Sequence, residues 1–309
     1  MLFTIPGKLR RVPPLRLALA AAATMTAVLA VNASSDNCVN AFNLQRYHEA
    51  LTACQERAGR GDPEAMYLLG VMRADGLGAA ANPAQAVEWF TMAAEKDHAA
   101  AQSRLADAYY SGEGAPQSYS DAAWWYEPAA QKGDAHAQAQ LGGMYEYGFG
   151  VSFSYEEALA WYQKSAAQGY AAGQYGLGVM FDEGRGAPED NHQAAEWYAK
   201  ASDQGFIAAT LALAEMYLRG DGVARDMDKA AHYFQQAAGW GHRDAQFALG
   251  QLYETGKKDH AQAFMWYTLA AERGSAAAAA AVTSLEPELS LTQKNLARKM
   301  AREWRPTER

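Results

Sequence analysis

The sequence predicts an all-α fold, an α-solenoid of about six helix-pair repeats with a capping helix at each end. The first observation is a Leu that recurs every 36 residues and is followed by Gly or Ala, at Leu69, Leu105, Leu141, Leu177, Leu213 and Leu249. The second is an aromatic pair in every copy, beginning at Trp89, Trp125, Trp161, Trp197, Tyr233 and Trp266. A fixed period of roughly 20–50 residues is typical of solenoids, whose units bury their apolar faces by stacking.

The N-terminus has the layout of a secretory signal peptide. Four basic residues precede the apolar stretch 17–31, at Lys8, Arg10, Arg11 and Arg16. Val31-Asn32-Ala33 then supplies small residues for cleavage. As a helix, the apolar stretch would extend for about 22 Å, short of the ~30 Å hydrocarbon core of a bilayer. Residues 1–33 are therefore predicted to be removed, and the protein is predicted to be periplasmic or secreted; a retained N-terminal membrane anchor is the alternative.

The charge of the predicted mature chain argues against a nucleic-acid partner. Residues 34–309 contain 23 Lys and Arg against 35 Asp and Glu, a net charge of −12. A phosphate backbone would be repelled by this balance.

Residues 34–60 are predicted to form an N-terminal cap that contains both cysteines of the chain, Cys38 and Cys54. An even number of cysteines in an exported protein suggests a disulfide. In one straight helix the two residues would be about 24 Å apart, whereas a disulfide needs Cα atoms within about 7 Å. If they pair, the chain must therefore turn back between them, near residues 43–47. The alternative is two unpaired, buried thiols.

Each repeat is predicted to consist of two helices joined by a glycine-containing turn. In the third repeat, Ala137, Leu141, Met144 and Tyr145 recur at helical spacing and define an apolar stripe. A Gly suited to a left-handed C-cap ends this first helix, at Gly76, Gly112, Gly148, Gly184, Gly220 and Gly256. Good N-cap residues begin the second helix, at Asn82, Ser118, Ser154, Asp190, Asp226 and Asp259.

The segment AQAQLGGMYEYGFGVSFSYEEALAWYQKSAAQGY resembles the repeat of the Sel-one-like family, a relative of the tetratricopeptide repeats. The resemblance covers about residues 61–275, the predicted repeat array. It implies a right-handed superhelix of helix pairs, and roles as adaptors in signalling, envelope biogenesis and host contact. Residues 276–309 are predicted to be a C-terminal cap and tail, with an amphipathic helix over 289–304.

No catalytic, cofactor or metal site is predicted. The sequence has no His-Glu-x-x-His pattern, nucleophile elbow, phosphate loop or paired Cys motif. His232 and His242 are too few for a metal site. A Cys-rich branch of the similar family has been linked to β-lactam binding and hydrolysis, but its members carry a Cys pair in each repeat, whereas this chain has two cysteines in total.

The aromatic pairs, including Trp161, are predicted to be core because they recur at a fixed period. Binding residues are expected instead at first-helix positions that vary between repeats, which by analogy with tetratricopeptide grooves face the concave side. The predicted partner-binding residues combine carboxylates with aromatics: Asp107, Tyr110, Glu146, Tyr175, Asp182 and Glu215. Such a groove would suit a peptide that carries Lys or Arg; a solvated acidic face without a ligand is the alternative.

The functional prediction is a non-catalytic interaction scaffold or adaptor of the cell envelope. Its partner is predicted to be a protein or peptide with basic residues; an envelope protein and a cell-wall component are the candidates. Two other functions remain as alternatives: binding of cell-wall or other polysaccharide, and hydrolysis related to the Cys-rich branch.

Overall fold

The computed structural model of the protein describes residues 37–307. The predicted signal peptide, with its cleavage point at Ala33, lies outside the described residues. Between residues 37 and 307 the secondary structure is entirely helical, without a strand. In that same range no helix is both long enough and apolar enough to cross a membrane. The chain divides after Gln117 into two compact units.

The described part of the first unit, residues 37–117, contains five helices, and its helices from α2 onward pack in sequence order. They are α1 (residues 37–43), α2 (Tyr47–Gly59), α3 (Pro63–Asp75), α4 (Pro83–Ala94) and α5 (Ala99–Ser111). The turn between α1 and α2 brings the Cα atoms of Cys38 and Cys54 to 4.9 Å, and their sulfur atoms are bonded. The structure thus contains the predicted disulfide and the predicted reversal of the chain.

The second unit continues the same pattern, and each of its first nine helices packs on the next. Its first six helices are α6 (Tyr119–Gln131), α7 (Ala135–Tyr147), α8 (Tyr155–Ala167), α9 (Ala171–Asp182), α10 (Asn191–Ser202) and α11 (Ile207–Arg219). The remaining helices are α12 (Met227–Gly239), α13 (Arg243–Gln251), α14 (His260–Glu272), α15 (Ala276–Leu285) and α16 (Leu291–Glu303). Helix α16 packs on α14 and closes the C-terminal end. The predicted all-α solenoid of helix pairs with capping helices is confirmed.

The predicted start of every second helix is confirmed. The side chain at each of the six predicted positions accepts a hydrogen bond from a backbone N–H of the first turn, at Asn82, Ser118, Ser154, Asp190, Asp226 and Asp259. These bonds satisfy donors that have no partner within the helix.

A close approach between the two helices of a repeat explains the Gly that follows the repeated Leu. A Cβ atom at Gly142 would lie 2.6 Å from the ring of Tyr162, and one at Gly178 would lie 2.6 Å from the ring of Tyr198. The same contact occurs between Gly70 and Phe90, and between Gly250 and Tyr267. In these four repeats the second aromatic therefore lies directly on the backbone of the preceding helix, whereas the second and fifth repeats have Ala106 and Ala214 at this position.

The prediction that both aromatics of a pair belong to the core is correct for the second aromatic of every pair. It is wrong for the first aromatic of every pair but one. The second aromatics are buried: Phe90, Tyr126, Tyr162, Tyr198, Phe234 and Tyr267. Trp161 is only half-buried, and Lys164 Nζ lies 3.7 Å from its ring centre. Of the first aromatics only Trp266 is buried, because α16 covers it. At Trp161 and Trp197 the ring instead makes a cation–π contact with the ammonium group of the Lys three residues later.

The sixth repeat ends its first helix differently from the prediction. Gly256 was expected to be a left-handed C-cap, but α13 runs into a π-helical turn, Leu252–Gly256, and Lys258 takes the left-handed conformation with φ 56°. This loop is three residues shorter than its counterparts. The widened turn accommodates the shorter connection before Asp259 begins α14.

Candidate functional site

The candidate site is a cavity of about 490 Å³ in the second unit, here called the candidate cavity. It is lined mainly by the first helices of the third and fourth repeats, α7 and α9. Single residues of α8, α10 and α11 and three residues outside the helices complete the lining: Tyr162, Tyr198, Ala212, Glu183, Arg185 and Phe206. Three of the predicted binding residues, Glu146, Tyr175 and Asp182, meet in it. Three of the six predicted variable first-helix residues therefore line one recess.

Glu146 lies at the base of this cavity and is only 4% exposed. The Tyr162 hydroxyl donates a 2.8 Å hydrogen bond to Glu146 Oε2, and Arg185 Nη1 donates to Oε1. Arg185 also forms an ion pair with Glu183. A buried carboxylate needs such partners because it has lost its hydration. Glu146 is therefore part of an internal network with Tyr162 and Arg185. The positive charge of Arg185 offsets the charge of its carboxylate even without a ligand.

Asp182 and two tyrosines form the opposite wall of the candidate cavity. The Tyr198 hydroxyl donates a 3.2 Å hydrogen bond to Asp182 Oδ2, and the Tyr175 and Tyr198 ring centres are 5.7 Å apart. Burial, followed by the nearby Asp182 carboxylate, raises the pKa of Tyr198 well above its ordinary value. Burial and Glu146 raise the pKa of Tyr175. Both phenols therefore stay protonated at neutral pH, and the single proton of Tyr198 is already donated to Asp182.

Arg185 contributes a positive charge to the lining of the candidate cavity. Burial acts to lower the pKa of Arg185, but the nearby Glu183, Tyr155 and Glu146 raise it by more. The guanidinium is therefore charged. The lining thus holds three carboxylates, Glu146, Asp182 and Glu183, and one guanidinium, with a net negative charge. A cationic group entering the cavity would be favoured over an anionic one.

Small residues leave room for the cavity. Gly143 and Gly176 both line it. A Cβ atom at Gly176 would lie 2.4 Å from the Tyr162 ring, so Gly is required where the first repeat has Leu68. Gly143 occupies a position held by Val71 in the first repeat. The cavity therefore belongs to the junction of the third and fourth repeats.

The other three predicted residues lie elsewhere. Asp107 lines a cavity of about 140 Å³ in the first unit, beside Arg104. Tyr110 lies half-buried on α5, and its carbonyl accepts a hydrogen bond from Gln117 Nε2. Glu215 lines a separate cavity of about 500 Å³ in the second unit and forms an ion pair with Arg219.

Sequence reasoning missed Arg185, Glu183 and Tyr147, which also line the candidate cavity. They follow or end the first helix, whereas the prediction considered only positions within it. Arg185 varies between repeats, with Glu113 and Phe149 at the equivalent positions of the second and third. The criterion of variability would have found these residues had it been applied to the loops.

The described residues offer no ligand set for a metal ion. Between residues 37 and 307, no three or more His, Cys, Asp or Glu side chains are placed to hold one. The candidate cavity can bind a group that carries positive charge and donates hydrogen bonds, because its carboxylates and phenol hydroxyls can accept them.

Two solved structures are similar to this chain along most of its length. The first is a protective antigen of uropathogenic Escherichia coli with an SLR fold: TM-score 0.72, 30% identity, covering 86% of this chain. This chain spans 60% of the length of that antigen. The second is a Sel1 repeat protein from Oxalobacter formigenes: TM-score 0.71, 28% identity, covering 77% of this chain and 96% of the other. A comparison with curated protein sequences finds no match.

The sequence profile of the Sel1 repeat matches six consecutive segments of the chain. They are residues 63–98, 99–134, 135–170, 171–206, 207–239 and 243–275. Proteins of this kind generally mediate protein–protein interaction. Together with the helix pairs and the ring-on-glycine contacts, these matches show that the chain belongs to the Sel1-like repeat family.

Proposed function

We propose that this protein is an exported, non-catalytic scaffold of the cell envelope that binds a basic segment of a protein partner in the candidate cavity. The observation that carries the proposal is the meeting of Glu146, Tyr175 and Asp182 in one recess. Residues that differ between repeats are not needed for the repeated helix packing. Their convergence at one junction points to recognition.

The geometry favours a Lys or Arg side chain as the group that enters the cavity. Asp182 is half-exposed and Glu183 is exposed, so their carboxylates are accessible at the rim, unlike that of Glu146. The rings of Tyr175 and Phe206, 5.1 Å apart, offer apolar surface to the stem of such a side chain. Carboxylates at the rim chiefly raise the association rate, whereas buried aromatic contact slows dissociation.

Two features support an exported location. The N-terminal sequence has the charge and apolar pattern of a signal peptide. The Cys38–Cys54 disulfide suits an oxidising compartment. Polysaccharide binding gains no specific support, because the described residues that line the candidate cavity include no Trp.

Site-specific crosslinking in the intact cell envelope tests this proposal. A photo-reactive amino acid replaces Val179, which lines the candidate cavity, and in a control replaces Glu196 on α10, a second helix. A protein captured from position 179 and not from 196 would support the proposal. Capture from neither position, or equally from both, would contradict it.

The captured partner then allows affinity to be measured. Asp182→Asn should slow association and reduce its dependence on salt, whereas Tyr175→Ala should speed dissociation. Glu196→Gln is the control for loss of a carboxylate outside the cavity. Binding that survives both cavity substitutions would place the interaction on another surface, and Tyr110→Ala would then test the first unit.

A further inference from the structure

The turn between α7 and α8 exposes an unusual number of aromatic side chains. Tyr147 is 60% exposed, Phe149 39% and Phe153 57%. With Tyr119 and Tyr155 they form what is here called the aromatic cluster. Contiguous exposed apolar surface on a soluble protein usually marks a site of interaction.

The repeat fold does not require these aromatics. At the position of Tyr147 the other repeats have Asp75, Ser111, Glu183, Arg219 and Thr255. At that of Phe149 they have Leu77, Glu113, Arg185, Asp221 and Lys257. At that of Phe153 the second repeat has Gln117 and the fourth has Glu189. The exposed rings are therefore particular to the third repeat.

The rings contact one another in a defined arrangement. Phe149 stacks with Tyr119 at 5.1 Å between ring centres and with Tyr147 at 5.8 Å. Phe153 meets Tyr155 edge-to-face at 4.6 Å. Surfaces lined with aromatic rings are the ones on which extended, proline-containing segments dock.

The backbone of the turn is held in place. Phe149 N donates a 2.9 Å hydrogen bond to Met144 O, and Ser154 N donates a 3.0 Å bond to Tyr145 O. Gly150 has φ 70° and packs so tightly on the start of α6 that a Cβ would lie 2.2 Å from the Tyr119 carbonyl oxygen. The rings are thus displayed on a fixed support, which lowers the entropy cost of binding.

The cluster adjoins the candidate cavity. Tyr147 belongs to both. Arg185, which binds Glu146 inside the cavity, lies 5.5 Å from the centre of the Tyr155 ring. Beside the cluster, Glu156 and Glu157 are exposed in the first turn of α8. The aromatic cluster therefore adjoins the carboxylates of the cavity and of the first turn of α8, a distribution complementary to a segment with both apolar and basic residues.

We propose that the aromatic cluster binds a proline-containing, extended segment of the protein partner, and that a Lys or Arg of this segment enters the candidate cavity. The inference rests on the proposed function and adds the chemical class of the ligand. An extended proline-containing segment loses little conformational freedom on binding, and it docks readily on surfaces lined with aromatic rings.

A random dodecapeptide library displayed on phage, selected on the purified chain, provides the probe. The most enriched sequences are then measured as labelled synthetic peptides. The test variant is Phe149→Glu with Phe153→Gln, which installs residues that the second repeat carries at the same positions, Glu113 and Gln117. The matched control is Trp124→Ser, which removes another exposed aromatic, 72% exposed. Circular dichroism verifies that each variant is folded.

The expected result is enrichment of peptides with proline next to Lys or Arg. The double variant should bind them at least about tenfold more weakly, as for loss of interface hot spots, while Trp124→Ser binds them unchanged. If Tyr175→Ala loses binding but the double variant keeps it, this inference fails and the proposed function stands. Binding unaffected by either variant, or the absence of enriched peptides, overturns both. Enrichment of sequences without proline overturns the inference. So does binding of a sugar, chitohexaose, that is lost in the double variant when no peptide binds.

Discussion

The Tyr162 hydroxyl donates a 2.8 Å hydrogen bond to Glu146, a carboxylate 4% exposed. Tyr162 is a ring of the repeated core and Glu146 is a variable residue of the cavity. The contact therefore couples the stability of the fold to the chemistry of the candidate site.

Tyr162→Phe should lower the free energy of unfolding by about 1–3 kcal/mol, because it leaves a buried carboxylate short of one donor. Tyr198→Phe provides a matched comparison, since its partner Asp182 is half-exposed and can turn to water. Denaturant unfolding measures both. An equal or larger loss for Tyr198→Phe would mean that burial of Glu146 does not govern the effect.

Gly142→Ala and Gly143→Ala should have opposite effects although they are neighbours. A Cβ at Gly142 would lie 2.6 Å from the Tyr162 ring carbon, so overpacking should destabilise the protein by about 1–3 kcal/mol. At Gly143 the nearest atom would be 3.4 Å away, the Tyr162 hydroxyl oxygen, and Ala should stabilise the helix by up to about 1 kcal/mol. Thermal unfolding compares the two, and the same sign of change in both would refute the contact.

Trp161→Ala should cost about 1–2 kcal/mol, less than the roughly 3–5 kcal/mol of a fully buried aromatic. Trp161 is half-buried, whereas Trp266, 8% exposed, lies against α16. Trp266→Ala should therefore cost the larger amount. Urea unfolding of both variants provides the measurement, and the reverse order would show that Trp161 is core after all.

Reduction of the Cys38–Cys54 disulfide should lower stability by about 3 kcal/mol in the chain-entropy model, for a closed loop of 16 residues. The folded protein should not react with a thiol reagent until a reductant is added. The mass after labelling reports this directly. Two thiols that label without reductant would contradict the pairing.

Alkaline pH should destabilise the protein through the candidate cavity. The folded-state pKa of Tyr198 is raised above its ordinary value of 10.0, by burial and by Asp182. The protonated phenol therefore contributes stability that is fully present below about pH 10 and is lost as the pH rises further. Tyr198→Phe should flatten the decline of unfolding free energy in that range. An unchanged slope would show that another group causes it.

The sequence predicted the repeat, its caps and its N-cap residues because these depend on local chemistry at a fixed period. Asn82 and its counterparts satisfy donors within a few residues along the chain. The candidate site was predicted only in part. Glu146 was identified by its variability, but its pairing with Arg185, 39 residues later, depends on how one repeat stacks on the next. No local pattern encodes that distance.

The half-burial of Trp161 also could not be predicted from the periodicity of the sequence. Periodicity identifies a residue that every repeat keeps, but it does not say how deeply that residue is covered. Tyr162 and Trp161 share the period, and only Tyr162 faces the glycine of the preceding helix.

The ring-on-glycine contact joins two helices of a single repeat, as between Gly142 and Tyr162. In the four repeats that have this Gly, the spacing of the helix pair is therefore set within the repeat and does not have to be matched again when the number of copies changes. A gene encoding such a chain can gain or lose whole units by duplication or deletion and still encode a protein that folds. New copies are then free to diverge at positions such as Phe149, so that specificity evolves one unit at a time.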